Sequence, residues 1–192
     1  MKLASLALAL GLASPAFAAA PLFVDFEKTW SYGEEVADTY AASGVSFTNV
    51  LGLSNDADFT YFSNAPSPLG VAFVQLDGIV NTTAFMNVSA GVTGGLSFFY
   101  STPSDAPIAI KAYSGLNGTG TLLGSLDLTA NSADYSAWNH AVLSFSGTAM
   151  SFDLTGMANA VALDNISAVP EPGSVALMLG GAALLLARRR RD

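Results

Sequence analysis

Residues 149–154 read Ala-Met-Ser-Phe-Asp-Leu and alternate between small or polar and large apolar side chains. Met150, Phe152 and Leu154 lie two residues apart, so in an extended chain their side chains project from one face. The same spacing in a helix would spread the three side chains around the axis. The stretch therefore predicts a β-strand with one buried face.

Similar short runs, rich in Val, Phe, Thr and Tyr and bounded by Gly, Asn, Ser, Asp and Pro, recur throughout residues 19–168. The predicted strands are Leu22–Glu27, Gly44–Val50, Val71–Leu76, Thr83–Val88, Gly95–Ser101, Ile108–Ser114, Thr121–Leu128, Asn139–Phe145, Ala149–Leu154 and Ala160–Ile166. This region shows neither a sustained 3.6-residue period nor an internal repeat. It predicts an all-β domain, a double-sheet sandwich of jelly-roll type, with an immunoglobulin-like sandwich as the alternative.

One long stretch, Gly52–Gly70, has no strand pattern and contains several aromatic residues together with Pro66-Ser67-Pro68. Irregular segments of this length in a small domain are either functional or disordered. Its aromatic residues favour an ordered loop, and we expect that loop to cover one end of the core rather than to bind a ligand.

The charge of residues 19–168 is strongly negative. Two basic residues, Lys28 and Lys111, stand against thirteen acidic ones, which gives a net charge of −11. Phosphate backbones and anionic lipid surfaces would be repelled, so nucleic-acid binding is excluded, whereas divalent cations and neutral sugars are compatible. The sequence has no cysteine, which excludes disulfides, thiol catalysis and thiolate metal ligands.

The N-terminus has the three parts of a secretory signal peptide. Lys2 supplies the positive start, Leu3–Ala13 is apolar, and Ala16-Phe17-Ala18 is a small-x-small cleavage site. We expect residues 1–18 to be removed after Ala18, so that the mature chain begins at Ala19. The sequence thus predicts export across the inner membrane.

The C-terminus begins with Val-Pro-Glu-Pro at residues 169–172, where the two prolines keep the backbone extended and accessible. The apolar run 173–187 follows without a charge. As a helix it would be ~22 Å long at ~1.5 Å per residue, which is short for a hydrocarbon core of about 30 Å. Local thinning of the bilayer and long arginine stems would cover the difference. Residues 173–187 are therefore predicted to form a transmembrane helix.

A basic cluster closes this segment and predicts its orientation. Its members are Arg188, Arg189, Arg190 and Arg191. By the positive-inside rule, this end of the predicted helix stays on the cytoplasmic side. An ordinary tail anchor would also carry basic residues, but the order of proline motif, apolar span and basic block is more specific.

This order resembles the PEP-CTERM protein-sorting signal of Gram-negative bacteria, over residues 169–191. In that family an exosortase, an integral-membrane cysteine transpeptidase, recognises the motif and processes its substrates nearby. The resemblance implies that Val169, Pro170, Glu171 and Pro172 are the recognised residues and that the apolar helix is a transient anchor. Members are typically exported and linked with extracellular polysaccharide or biofilm matrix.

A second resemblance covers most of residues 19–168. Val24-Asp25-Phe26-Glu27 and Gly44-Val45-Ser46-Phe47 look like the opening of the jelly-roll domains often found ahead of this sorting signal, and Ala162–Ile166 looks like their end. Those domains resemble galactose-binding-like carbohydrate modules. The resemblance implies a sandwich fold more than a binding activity.

Three carboxylates form the candidate metal site. Asp25 and Glu27 are two residues apart and so share one face of the first predicted strand, and Asp164 lies in the last. In sandwiches of the resembled class these two strands are close together and often hold a structural Ca²⁺, an ion that prefers carboxylate and carbonyl oxygens. The alternative is that the carboxylates are solvated or accept hydrogen bonds from turns and neighbouring strands.

A catalytic function finds little support. The single histidine, His140, lies in a predicted strand, no Gly-x-Ser-x-Gly elbow accompanies it, and a catalytic zinc site usually needs more than one histidine. We expect His140 at the surface or a sheet edge. A glycosidase pair among the acidic residues is not defined by the sequence. The sequence predicts a protein that is not an enzyme.

Aromatic side chains could instead bind sugar. Tyr61 and Tyr113 are the best candidates because each lies beside polar loop residues, whereas Trp138 precedes an apolar strand and is expected in the core. The sequence thus favours an exported surface or matrix protein with a structural or interaction role in polysaccharide matrix. A carbohydrate-binding module with a specific glycan is the alternative, and a hydrolase is the third.

Overall fold

The computed structural model describes residues 22–54 and 62–169, and the chain folds there as antiparallel β-structure. Its strands are β1 (Phe23–Val24), β2 (Val45–Thr48), β3 (Val50–Ser54), β4 (Gly70–Val74), β5 (Phe85–Ser101), β6 (Ala106–Tyr113), β7 (Leu122–Leu128), β8 (Asn139–Asp153) and β9 (Ala162–Ala168). Two short 3-10 turns, Ala41–Ser43 and Thr155–Met157, are the helical elements of these residues. The predicted all-β class is confirmed.

The predicted signal peptide 1–18, the span 173–187 and the arginine cluster lie outside the described residues. Among the residues that are described, no helix is long and apolar enough to cross a membrane.

Two long strands, β5 and β8, organise the architecture. They pair with each other from Phe85↔Asp153 to Tyr100↔Asn139, and the ladder shifts register between Asn87 and Gly95. Glycines with positive φ lie at this irregularity: Gly94 has φ 81° and Gly147 has φ 92°. Bulges of this kind bend a strand and increase its twist, so the two halves of each long strand belong to different layers.

The halves of β5 and β8 pair with different neighbours. Residues 96–101 of β5 pair with β9, which in turn pairs with β4 and β1, and β4 pairs with β3. We call this layer the front sheet. Residues 85–88 of β5 pair with β2, and residues 151–153 of β8 pair with β6, which pairs with β7. This layer is the back sheet.

The core lies between the two sheets. Phe98 and Leu163 of the front sheet and Met86 and Phe152 of the back sheet are at most 1% exposed and belong to one contiguous apolar cluster. Phe26 packs edge-on against Phe47, with ring centroids 5.9 Å apart. Burial of this kind is what holds a domain without disulfides together.

A second, smaller cluster covers the outer side of the front sheet. Phe62, Val71 and Ala162 are buried there, with Tyr135 and Trp138 packed against them. Trp138 is half-buried in this cluster and is not part of the main core, so its predicted place was only partly right. The reason is that the loop before β8 packs Trp138 against Phe62, Val71 and Ala162 and not against the core between the sheets.

Several predicted boundaries were wrong. The pairs of runs predicted as separate strands within 83–101 and within 139–154 are each one continuous strand, because bulges bend these strands without ending them. The predicted strand Gly44–Val50 is divided at Asn49, which has φ 57°. Residues 52–54, predicted as part of the irregular stretch Gly52–Gly70, belong to β3 and pair with β4.

Candidate functional site

The structure brings the first and last strands together, as the resemblance implied. β1 pairs with β9 through Val24↔Ile166, which places Asp25 beside the segment that carries Asp164. The predicted strand Leu22–Glu27 is shorter than expected, since regular pairing stops at Val24 and Phe26 has φ 56°. Its alternation persists nevertheless: Val24 and Phe26 are buried and Asp25 and Glu27 are half-buried.

Asp164 is the buried centre of this site, with no solvent exposure. Its Oδ2 accepts the Ser67 backbone N–H at 2.8 Å, and its Oδ1 accepts the Ser67 hydroxyl at 2.6 Å and the Asn165 N–H at 2.7 Å. Burial raises the pKa of Asp164 to about 6, against the lowering effect of the hydrogen bonds from Ser67 and Asn165, and the nearby Glu27 raises it further.

Ser67 explains how a protonated Asp164 fits the site. The Ser67 hydroxyl has one proton and two acceptors within reach, the Asp25 carbonyl at 2.9 Å and the Asp164 Oδ1 at 2.6 Å. When Asp164 carries its own proton, it can donate to Ser67 while Ser67 donates to Asp25. When Asp164 is ionised, one of the two acceptors loses its donor.

Glu27 and Asp25 fix the surrounding loops. The Glu27 Oε1 accepts the backbone N–H groups of Leu69 at 2.8 Å and Gly70 at 3.2 Å, where β4 begins. The Asp25 Oδ1 accepts the Tyr40 hydroxyl at 3.3 Å. Burial, together with the negative charge of Asp25, raises the pKa of Tyr40, so this phenol stays a hydrogen-bond donor.

Both oxygens of Asp164 and one oxygen each of Asp25 and Glu27 thus accept hydrogen bonds from N–H and O–H donors. No group of three or more His, Cys, Asp or Glu side chains that could hold a metal ion occurs within residues 22–54 and 62–169. The geometry matches the alternative in which the carboxylates accept hydrogen bonds from turns and neighbouring strands. Calcium at Asp25, Glu27 and Asp164 stays a prediction.

The role of Ser67 was missed by sequence reasoning. The residue lies between two prolines, which restrict the backbone on both sides. The two prolines indicate that the Ser67 side chain is held in a fixed position, but they do not indicate which residue it contacts. The partner Asp164 is 97 residues away in the sequence.

The other candidate residues are dispersed. His140 is exposed at the start of β8, with its ring 5.1 Å from that of Phe99, as expected for a surface position. Tyr113 is half-buried at the end of β6, and Tyr61 lies outside the described residues. Trp30, another aromatic residue of the sequence, is 5% exposed and therefore unable to stack on a ligand.

Of the predicted sorting motif, Val169 lies within the described residues and Pro170, Glu171 and Pro172 lie outside them. The Val169 N–H donates to the Gly95 carbonyl at 2.9 Å, directly after β9 ends. The motif therefore follows the folded domain without a linker.

No protein family model and no curated protein matches the chain. Among solved structures, a cleaved adhesin domain of Lys-gingipain aligns with 79% of this chain and 100% of its own length, at 16% identity and a TM-score of 0.50. Another such adhesin domain, from Porphyromonas gingivalis, aligns with 79% of this chain and 99% of its own, at 12% identity and a TM-score of 0.47. CBM35 from Paenibacillus barcinonensis covers 78% of this chain and 99% of its own, at 14% identity and a TM-score of 0.45. The likeness to the first of these shows a shared β-sandwich fold.

Proposed function

We propose that the chain is an exported bacterial protein of the cell surface or extracellular matrix, sorted and processed through its C-terminal motif. The single observation that carries this proposal is the order Val-Pro-Glu-Pro at 169–172, apolar residues at 173–187 and arginines at 188–191. In this proposal the precursor is anchored by its C-terminal helix until an exosortase-type enzyme releases it. The sandwich, with jelly-roll connections, then has a structural or interaction role in polysaccharide matrix and no catalytic one.

The position of the motif supports this proposal. β9 ends at Ala168, and the next residue is the first of the motif. A sorting enzyme acting there would remove the anchor and leave the whole folded domain intact. The adhesin-domain likeness agrees with a surface role but shows only the fold.

The test is the intact mass of the protein recovered from membranes and from the medium. We expect a released form that begins at Ala19 and ends near Pro172, and we expect Glu171→Ala to remain in the membrane at full C-terminal length. The control is Asp38→Ala, which removes an exposed carboxylate of the domain and should be processed normally. Normal processing of Glu171→Ala would refute the assignment of the motif.

Glycan binding is the second candidate, favoured by an open groove on the domain that carries unused hydrogen-bonding groups. In this alternative the domain is a carbohydrate-binding module for a specific glycan. Titration of the full chain with oligosaccharides tests it.

A further inference from the structure

A groove with a volume of about 590 Å³ opens beside β3 and β4, away from the carboxylate cluster. Its volume lies within the range of ligand sites in proteins. Three segments of the chain contribute to it: the loop before β2, the strand β3 with the residue that precedes it, and β4 with the loop that follows. The residues that line it are Tyr32, Gly33, Glu35, Asn49, Leu51, Leu53, Phe73, Gln75, Leu76, Asp77 and Asn81.

The floor of the groove is apolar. Leu51 and Phe73 are paired across β3 and β4, and both are half-buried. Their neighbours Val50 and Val74 have no exposure and belong to the core, so the alternation of the strands directs Leu51 and Phe73 to the outer side. A flat apolar floor of this kind suits the C–H surface of a sugar ring.

The rim of the groove is polar and its side chains are free to bind. Glu35, Gln75 and Asn81 have no side-chain hydrogen bond to any residue that the structure describes. Asn49 uses its Nδ2 to donate to the Thr83 carbonyl at 2.7 Å, which fixes the amide and leaves its Oδ1 available. Carboxylate and amide groups together provide both donors and acceptors, as hydroxyl recognition requires.

An aromatic side chain stands at the rim. Tyr32 is 94% exposed, although tyrosine usually buries most of its ring. Of the described residues that line the groove, Tyr32 and Phe73 are the aromatic ones. A ligand that stacked on this ring would bury apolar surface that the free protein leaves in water.

The walls of the groove are held in place before any ligand binds. The Val36 N–H donates to the Val50 carbonyl at 2.8 Å, and the Gly52 N–H donates to the Glu34 carbonyl at 3.0 Å, so the segment after Tyr32 is tied to β3. Preorganised walls lower the entropy lost on binding.

The opposite wall is fixed by Asp77. Its Oδ1 accepts the N–H groups of Ile79, Val80 and Asn81 at 2.8 to 2.9 Å, and these hydrogen bonds lower the pKa of Asp77. Ile79 and Val80 are more than 80% exposed but do not line the groove. The side chains of Ile79 and Val80 therefore add no apolar surface to the groove.

The charge of the groove selects against acidic ligands. Among residues 22–54 and 62–169 it is lined by the carboxylates of Glu35 and Asp77 and by no basic side chain. Within the described part of the chain the two lysines are engaged elsewhere, Lys28 with Glu34 and Lys111 with Asp153. A uronic acid or a sulfated sugar would meet uncompensated repulsion, whereas a neutral ring or an amino sugar would not.

From these observations we propose that the groove binds a short oligosaccharide of neutral or amino-bearing pyranose rings. Tyr32 stacks on one ring, Leu51 and Phe73 form the apolar floor, and Glu35, Gln75 and Asn81 bind hydroxyl or amino groups. The proposal rests on the proposed role in polysaccharide matrix and names the class of glycan that the domain binds.

The test is calorimetric titration of the full chain, purified in a mild detergent, with four probes: the tetramers of glucose, glucosamine, N-acetylglucosamine and galacturonic acid. We expect at least one of the first three to bind and the galacturonic acid tetramer to bind more weakly than it. Tyr32→Ala should weaken binding about tenfold or more, whereas Tyr32→Phe should retain it because the ring remains. Phe23→Ala, which removes another exposed aromatic ring, is the control and should leave binding unchanged.

Three results would overturn this proposal: no binding of the three non-acidic probes, strongest binding of the galacturonic acid tetramer, or equal affinity of the wild type and Tyr32→Ala. Measuring the intact mass of the same variants shows independently whether the C-terminus is processed, so failure of sugar binding can be distinguished from failure of the proposed sorting. Normal release together with no sugar binding would count against the groove alone. Sugar binding together with no release would count against the sorting motif alone.

Discussion

Lowering the pH from 7 to 5 is expected to stabilise the domain through Asp164. This carboxyl is fully buried, and its pKa of about 6 compares with an ordinary value of 3.8. Between these two values the folded chain holds a proton that the unfolded chain has released, so stability falls as the pH rises.

The magnitude follows from the same two values. The difference between 3.8 and about 6 corresponds to about 3 kcal/mol, at 1.36 kcal/mol per pH unit. About 1.3 kcal/mol of this is gained between pH 7 and pH 5, and more is gained as the pH approaches 4. Below about pH 3 the carboxyl is protonated in both states, and Asp164 no longer contributes to the slope.

The assay is urea unfolding of the full chain in a mild detergent and a chelator, at several pH values, followed by the fluorescence of the buried Trp30 and the half-buried Trp138. In Asp164→Asn the free energy of unfolding should depend less on pH between pH 4 and pH 6 than in the wild type. This variant should also be less stable than the wild type at low pH, because either orientation of its amide turns the NH2 group toward a backbone N–H, that of Ser67 or that of Asn165. Asp38→Asn removes an exposed carboxylate and is the control for general charge repulsion. An equal slope in Asp164→Asn and the wild type would refute the reasoning, as would a wild-type stability that rises from pH 5 to pH 7.

Three further predictions concern stability and metal binding. Phe152→Ala removes a ring with no exposure and should cost about 3–5 kcal/mol in urea unfolding, whereas Phe23→Ala, at an exposed position, should cost far less. Lys111→Met should lower the free energy of unfolding by about 1 kcal/mol, because it removes the ammonium group that lies 2.9 Å from the Asp153 carboxylate. The same loss in high salt would contradict this ionic origin. If the predicted calcium site exists, Ca²⁺ should raise the Tm above its value in chelator, and Asp164→Asn should abolish the rise; equal Tm values in Ca²⁺ and chelator would count against the site.

The fold class could be predicted because alternation is a local property. In Ala149–Leu154 the two-residue period marks the buried Phe152 and Leu154 correctly, but Met150 is only half-buried. The prediction of a single buried face was wrong there, because Ala149 and Ser151 on the opposite face have no exposure either. The continuity of β5 and β8 could not be predicted in this way. Glycine-containing breaks resemble turns in a sequence, and only the pairing of both halves with each other shows that the strands continue through them.

The carboxylate cluster could be predicted in part from the sequence, whereas the groove could not. Asp25 and Asp164 were expected to be close, because the resemblance implied adjacent first and last strands. Ser67 and the groove depend on contacts between segments that are distant in sequence. Tyr32 and Asp77 line the same groove only because residues 34–36 pair with the edge of β3, and no local pattern encodes that pairing.

The position of β9 has a mechanical consequence for an anchored precursor. Its residues pair with β5 on one side and with β4 and β1 on the other, and Val169 continues directly toward the C-terminus. A pulling force applied through the anchor would act along an interior strand, so several backbone hydrogen bonds would share the load in shear instead of opening one at a time. The same placement would let the domain resist drag while it is still tethered to the membrane.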